Sequence, residues 1–146
     1  MLKVYHCVKD MNINQLHHVY SGNQDIDVVD YLYEFFRMSG SVCLIWDTDG
    51  AYQSALRLEP YCDGYLLTGL ETAPDTRRMG YGYELMQAAL VYLKNIGSTK
   101  VYAHIWKNNV PSLKLHEKCG FSMFSDCATL LDGTVSQLYV TVYAEI

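Results

Sequence analysis

The sequence predicts a mixed α/β fold in a single domain that spans residues 1–146. Two observations lead to this prediction. The chain has 146 residues, 50% hydrophobic and 18% charged, which suits one globular domain with a full core. Strand-like runs also alternate with helical patterns, in the order strand, helices, three strands, helix, strand, helix, two strands. One helix therefore lies between two strands, as in a parallel crossover.

The first half of the chain supplies the first four strands and an amphipathic helix. The strands are predicted at residues 2–7, 42–46, 51–58 and 65–72. Turns are expected at Asp47–Gly50, which is typical of a hairpin, and at Pro60–Gly64. The helix is indicated by the apolar spacing of Val28, Val29, Leu32, Phe35 and Phe36, and it is expected to end near Gly40.

The second half supplies two helices and three strands. In the first helix the apolar residues recur on one face: Leu85, Met86, Ala89, Leu90 and Leu93. Gly97 is expected to stop this helix. A strand is predicted at Lys100–Trp106, and a short helix opens at Asn108-Asn109-Val110-Pro111 and closes at Cys119-Gly120. Two antiparallel strands are expected to end the chain, at residues 121–128 and 135–144.

The distribution of charge narrows the class of partner. The net charge is −5, which argues against nucleic acid as the main partner. Residues 1–73 carry four basic and ten acidic side chains, a balance of −6, whereas residues 74–146 have a balance of +1. The acidic half favours a cationic or neutral ligand over an acidic one, unless these charges are only solvated surface.

Cysteine and histidine usage indicates the compartment and the absence of a metal. Five cysteines are scattered without a Cys-x-x-Cys pair, and the start of the chain does not resemble a signal peptide. No apolar run is long enough to span a bilayer. We therefore expect free thiols in the cytoplasm and no membrane partner. His6, His17 and His18 have no spacing typical of metal ligands, so no metal is predicted.

The run from Gly69 to Gly97 contains an anion-binding motif. A strand is followed by a loop with Arg77 and Arg78, then by Gly80-Tyr81-Gly82 and a helix. Unpaired N–H groups and the dipole at a helix start favour anions, and glycines allow close approach of a phosphate. The spacing fits neither the dinucleotide fingerprint Gly-x-Gly-x-x-Gly nor the nucleoside-triphosphate P-loop.

The Arg77-x-x-Gly80-x-Gly82 spacing instead resembles the acyl-CoA signature of the GNAT N-acyltransferases. A second phrase, Asn109-x-x-Ser112-x-x-Leu115-His116-x-x-x-Gly120-Phe121, resembles the family's motif after the next strand. The likeness covers residues 65–121 well, and residues 1–60 match only in element order. It implies a GNAT-like fold, a twisted mixed sheet with splayed central strands flanked by helices. Acyl-CoA would enter between the fourth and fifth strands.

The resemblance also implies which residues bind acetyl-CoA, the expected cosubstrate. Backbone groups near Leu70 and Thr72 would pair with the pantetheine arm. The pyrophosphate would lie against Arg77, Arg78, Gly80, Tyr81 and Gly82. Asn109 and Ser112 would lie at the pantetheine or thioester end, although Asn109 also suits a plain helix cap and Ser112 a first-turn residue.

His116 departs from the family pattern. Most relatives carry there a tyrosine that protonates the departing CoA thiolate, whereas Leu115-His116-Glu117-Lys118 resembles the phosphinothricin acetyltransferases. His116 is therefore a candidate general acid with a different pH behaviour, and its alternative role is structural.

The acceptor amine also has to lose a proton. For an alkyl amine this step costs roughly 4–5 kcal/mol at pH 7. Glu71 and His104 are candidate bases, each acting directly or through water. Glu71 is otherwise an exposed strand-end charge, and His104 a hydrogen-bonded histidine of the sheet.

The predicted function is an acetyl-CoA-dependent N-acetyltransferase that acts on a primary amine of a small molecule or peptide. The alternative is a non-catalytic acyl-CoA-binding sensor or interaction module on the same fold, which the missing tyrosine favours. A third alternative is a structural domain whose glycine loop binds nothing. The sequence leaves open the acceptor, the acyl length and the oligomeric state, for which a homodimer is one candidate.

Overall fold

A computed structural model of the protein describes residues 1–22 and 27–146. Within these ranges nine strands and four α-helices form a mixed α/β structure. The backbone divides into two compact units. The first comprises Met1–Glu59 and Gly69–Ala89, and the second comprises Pro60–Thr68 and Leu90–Ile146. The single domain expected from the sequence stays a prediction.

The first unit is built on three antiparallel strands. They are β1 (Leu2–Tyr5), β2 (Val42–Thr48) and β3 (Ala51–Tyr61), in the spatial order β1-β2-β3. The predicted hairpin turn is confirmed, since the Asp47 carboxylate accepts a hydrogen bond of 2.7 Å from the Gly50 N–H. Cys43 lies opposite Arg57 in the β2–β3 ladder. Because opposed residues point to the same face of a sheet, Arg57 lies on the Cys43 face.

Two capped helices cover that face. Asn12 caps α1 (Ile13–Val19) by accepting from the Gln15 N–H at 3.1 Å, and Asp27 caps α2 (Val28–Phe35). Residues of both helices share one buried cluster with strand residues, including Leu16, Val19, Leu32, Phe35, Cys43, Ile45 and Ala55. The predicted amphipathic helix is confirmed, but it ends at Phe35, since the N–H groups of Arg37 and Met38 bond three residues back instead of four.

Two elements belong to both units. β4 (Gly64–Thr72) starts in the second unit and ends in the first, and α3 (Tyr81–Asn95) runs the other way. Four of the five residues predicted to form the buried face of α3 are fully buried: Leu85, Met86, Ala89 and Leu93. The helix starts at Tyr81, before Gly82, because the Gly80 carbonyl already accepts from the Glu84 N–H at 2.9 Å.

The second unit is a mixed sheet in the order β4-β5-β9-β6. Its further strands are β5 (Lys100–Trp106), β6 (Ser122–Ser125) and β9 (Tyr139–Glu145). β4 and β5 are parallel, which confirms the predicted crossover, and the other pairs are antiparallel. The parallel ladder joins Tyr65–Leu67 to Val101–Ala103 and ends there. It thus uses three residues of a nine-residue strand, as splaying central strands require.

Two predictions about turns and final strands are wrong in detail. β3 continues through Pro60 to Tyr61, so the turn predicted at 60–64 is confined to Cys62 and Asp63. The two long final strands are each interrupted, because β7 (Ala128–Thr129) and β8 (Val135–Ser136) form a separate hairpin. The Cys127 N–H bonds to the Ser125 hydroxyl instead of a neighbouring strand, which breaks the β6 ladder. No helix in the described ranges is long and apolar enough to cross a membrane.

Candidate active site

The end of β4 in the first unit carries an irregular backbone. Gly69 has φ +63°, a left-handed conformation that makes β4 irregular just before Leu70. Leu70, Glu71 and Thr72 are all half-buried. A side chain at position 69 would collide with the Arg57 guanidinium, which lies directly against the glycine backbone. Leu70 and Thr72, which are expected to contact pantetheine, thus follow Gly69, and this glycine allows close approach of the Arg57 guanidinium.

The loop between β4 and α3 has the form expected for an anion site. A 3₁₀ turn at Pro74–Thr76 leads into Arg77 and Arg78, which are both exposed. Arg78 and Gly80 have positive φ angles of +66° and +87°. α3 starts immediately afterwards, so Tyr81 and Gly82 form its first turn, where backbone N–H groups lack partners four residues back. Nothing lies within 4 Å of a Cβ built on Gly80, which leaves open space beside the helix start.

Side chains of this loop also reach α1 and the segment after it. His18 Nε2 lies 3.0 Å from the Asp75 carboxylate. A side chain at Gly22 would collide with the Arg77 guanidinium, so Arg77 lies over that glycine. The contact between His18 and Asp75 links this loop to α1. Because both partners are largely exposed, this pair contributes little to stability.

Glu71, a candidate base, lies near two cations of the first unit, Arg57 and Arg77. Burial raises the pKa of its carboxyl group, and the charges of Arg77 and Arg57 offset part of that rise. Neither arginine forms an ion pair with Glu71 among the described residues. A carboxylate with a raised pKa is a stronger base than an ordinary surface glutamate.

The second motif lies in the second unit on α4 (Val110–Lys118). The side chain of Asn109 caps the helix by accepting from the Ser112 N–H at 3.2 Å. The predicted cap is confirmed, and it occupies one lone pair of the Asn109 side-chain oxygen. The Ser112 carbonyl and hydroxyl both face the ring of His116 one turn later, at 2.7 and 3.4 Å from Nδ1.

His116 is almost completely buried, with 3% of its surface exposed. Its ring stands edge-on to Phe121 at a centroid distance of 5.1 Å. A carbonyl oxygen only accepts, so Nδ1 carries the hydrogen in its bond to Ser112, and Nε2 of the neutral ring has a lone pair. Burial lowers the pKa of His116, while the bond to the Ser112 carbonyl raises it in part. Proton donation by His116 therefore requires prior protonation of Nε2.

His104, the other candidate base, lies on β5 beside Tyr61. The two rings are perpendicular, with centroids 5.4 Å apart. Nε2 of His104 is buried without a hydrogen-bond partner among the described residues. The alternative expectation of a hydrogen-bonded sheet histidine is therefore not met at this atom. Burial lowers the pKa of His104, which keeps the ring neutral and able to accept a proton near pH 7.

A cavity in the second unit was not predicted from the sequence. Its volume is about 290 Å³, and it is lined by Tyr61, Cys62, Tyr102, Phe124, Ser125, Cys127, Thr129 and Thr141. The β7–β8 hairpin forms part of its wall, since Tyr61 Oη donates to the Thr129 carbonyl at 2.8 Å and Thr141 Oγ1 to the Cys127 carbonyl at 2.8 Å. The cavity depends on the interruption of the final strands, which the alternating sequence does not reveal.

The predicted site residues therefore fall into two groups. The first unit holds Leu70, Glu71, Thr72, Arg77, Arg78, Gly80, Tyr81 and Gly82, and the second holds His104, Asn109, Ser112 and His116. The two arginines and two glycines of the loop match the acyl-CoA signature, and the profile of the acetyltransferase (GNAT) family matches residues 11–121. The chain belongs to the GNAT acetyltransferase family.

Solved structures of GNAT proteins share this fold. An IAA acetyltransferase from Bacillus cereus is 15% identical, with 100% of both chains covered and a TM-score of 0.72. The ribosomal-protein-S18-alanine N-acetyltransferase from Escherichia coli is 14% identical, with 100% of this chain and 94% of the other covered and a TM-score of 0.75. No curated protein sequence matches the chain significantly.

A third similar structure contains coenzyme A. It is a Bacillus subtilis acetyltransferase in complex with CoA, 14% identical, with 100% of this chain and 99% of the other covered and a TM-score of 0.70. In the described ranges of this GNAT protein, no group of three or more histidine, cysteine or acidic side chains is arranged to hold a metal ion.

Proposed function

We propose that this GNAT protein is an acetyl-CoA-dependent N-acetyltransferase that transfers the acetyl group directly to a primary amine of a small molecule or peptide. The observation that supports this most strongly is the loop before α3. Two exposed arginines, two positive-φ residues and the free space beside Gly80 precede a helix start, where a pyrophosphate finds donors and favourable charge. Five cysteines without a disulfide suit a reducing, cytoplasmic setting.

The proposed mechanism uses few groups. Arg77, Arg78 and the first turn of α3 bind the pyrophosphate, and the backbone near Leu70 and Thr72 orients the pantetheine. The amine nitrogen bonds to the acyl carbon as the C–S bond breaks, and the Leu70 N–H stabilises charge on the carbonyl oxygen. The amine proton passes to Glu71 or His104, and the sulfur receives a proton from His116. Asn109 and Ser112 support the thioester end.

The alternative function is a non-catalytic acyl-CoA sensor. It is favoured by the buried, neutral state of His116, which is a poor proton donor at pH 7. Release of free thiol from acetyl-CoA with a panel of amines separates the two, because a sensor binds CoA without releasing thiol. Amine-dependent thiol release supports the transferase, and CoA binding without release under all conditions contradicts it.

The CoA site has its own test in the substitution Gly82→Leu. We expect the variant to fold, since leucine is a good helix former, and to lose CoA binding, since its side chain projects beside the helix start. Calorimetric titration with CoA measures the affinity, and circular dichroism checks the fold. Val91→Leu, on the exposed side of the same helix, is the matched control that retains affinity. Undiminished affinity in a folded Gly82→Leu variant would place the pyrophosphate elsewhere.

A further inference from the structure

Arg57 is a charged side chain in an apolar setting of the first unit. It extends from β3 toward the helical layer, where its guanidinium carbon lies 4.4 Å from the centroid of the Tyr31 ring and 5.9 Å from that of Phe35. The guanidinium also lies against Gly69. Its Nε is buried without a hydrogen-bond partner among the described residues. The Tyr20 hydroxyl is a polar neighbour of the guanidinium.

No carboxylate in the described ranges neutralises this cation. Burial raises the pKa of Glu59 and of Glu71, and the charge of nearby Arg57 offsets part of each rise, but neither carboxylate forms an ion pair with it. A guanidinium remains charged in a protein, and leaving its buried Nε donor without an acceptor costs free energy. Such a group is explained most simply by an anionic ligand that supplies the missing acceptor. The planar fork of donors is matched by a carboxylate, which binds it in a bidentate manner.

The position of Arg57 relates this ligand to the transferase site. Gly69 directly precedes Leu70, the residue to which the mechanism assigns the contact with the thioester carbonyl. Glu71, a proposed base, follows two residues after Gly69. A ligand carboxylate on Arg57 and a ligand amine beside Glu71 would thus both lie next to the backbone that orients the acyl group. A molecule whose amine and carboxylate share one carbon meets both requirements.

We propose that Arg57 binds the carboxylate of the acceptor, and that the acceptors are α-amino acids with a single carboxylate. This inference rests on the proposed N-acetyltransferase function and narrows its substrate class. Tyr31 covers the guanidinium and is 43% exposed, so it provides an aromatic wall for the entering ligand. The −6 balance of residues 1–73 disfavours a second carboxylate on the acceptor, whereas a zwitterion is neutral overall.

The experiment compares matched acceptors in the intact protein. Thiol release from acetyl-CoA is measured with each proteinogenic amino acid, and with the amide and the decarboxylated amine of the same side chain, such as tyrosine, tyrosinamide and tyramine. For the preferred side chain we expect kcat/KM to be roughly 10- to 100-fold higher for the acid than for the amide or amine. A preference for the amine or amide would overturn the proposed class.

Two variants test Arg57 itself. In Arg57→Gln we expect the ratio of kcat/KM for the amino acid to kcat/KM for the amine to fall to about one. In Arg57→Lys, which keeps the charge but loses the planar fork, we expect an intermediate ratio. Arg37→Gln is the control, because Arg37 on the surface after α2 pairs with Glu34 at 3.3 Å and is exposed. It should leave the ratio unchanged. A ratio that persists in folded Arg57→Gln would show that Arg57 does not bind the carboxylate.

Binding separates this inference from the proposed function. Calorimetric titration of the same amino acid is performed on the protein saturated with CoA and on Arg57→Gln treated alike. Binding that requires Arg57, without thiol release, would contradict the transferase but support the carboxylate site. Thiol release with amines that shows no preference for a carboxylate would support the transferase and overturn the carboxylate site. Absence of amino-acid binding and of acid preference would likewise overturn it.

Discussion

At the scale of single residues, His116 shows how surroundings can fix one protonation state. The carbonyl of Ser112 holds the hydrogen on Nδ1, and burial disfavours a second proton on Nε2. The sequence places a histidine at this position of α4, but it does not predict the tautomer. That depends on the backbone carbonyl four residues earlier, which only the folded helix brings to 2.7 Å.

We expect kcat to fall as pH rises through the pKa of His116, if this ring donates the proton to the departing sulfur. Burial places this pKa below its ordinary value of about 6.5, so the decline should lie on the acidic side of that value. The measurement is a pH–kcat profile at saturating acetyl-CoA and amine. His116→Tyr is the matched change, since a phenol with a pKa of about 10 stays protonated and should move the decline to higher pH.

An unchanged profile in His116→Tyr would contradict the general-acid assignment and leave the ring a structural role. The rise of kcat through the same range would indicate a base instead. Both results can be interpreted only if acyl transfer is the rate-limiting step. A single-turnover experiment with acetyl-CoA tests whether it is.

At the scale of elements, the starts of α3 and α4 were predicted from the sequence. Asn109 and the glycine loop before α3 are local signals, because caps and positive-φ positions depend on a few neighbouring residues. The final strands were not predicted well. Their interruption depends on the hydroxyl of Ser125 and on pairing between distant residues, neither of which alternation in one segment encodes.

The cap of α4 offers a direct test of an element. In Asn109→Ala we expect stability to fall by about 1 kcal/mol, because the Ser112 N–H loses its acceptor. Asn109→Ser keeps a capping oxygen and should lose less, and Asn108→Ala, at the exposed neighbouring position, is the control. Urea unfolding followed by circular dichroism gives the free energies. Equal stability of Asn109→Ala and the unchanged protein would mean that the cap contributes nothing measurable.

At the scale of the whole molecule, the sequence predicted the family and the fold class but not which ionisable groups are buried. The family and mixed α/β class were predictable, because two motifs in the right order cover residues 65–121 and the profile match extends over 11–121. The partial burial of Arg57 could not be predicted from the sequence, because strand alternation places it on the face opposite to Leu56 and Leu58 and thus favours an exposed position. Its neighbours come from α2 and β4, and only the tertiary structure brings these together.

Stability is expected to decline as the solution is acidified below about pH 6.5. The folded-state pKa values of His104 and His116 are lowered by burial, so protons bind more tightly to the unfolded chain. The stabilisation is therefore complete above the unfolded value and is lost as pH falls through the folded values. Urea unfolding at a series of pH values measures the slope.

Two substitutions isolate the histidine contributions to that slope. His104→Gln and His116→Gln cannot be protonated, so each should make the free energy of unfolding less dependent on pH below about 6.5. Glu59 and Glu71 are unchanged in both variants, so the differences report the imidazoles alone. His17→Gln, at an exposed position, is the control. If the unchanged protein and the three variants showed the same dependence of unfolding free energy on pH, His104 and His116 would be excluded as its cause.

The close packing of Arg57 on Gly69 has a consequence for how this sequence can evolve. A side chain at position 69 would occupy the space of the guanidinium and would also be strained at φ +63°. Descendants of this gene are therefore expected to gain a larger residue at 69 only after position 57 has become shorter. A change of acceptor specificity during evolution is expected to begin with substitution of Tyr31, whose exposed ring can be replaced without disturbing β3 or β4.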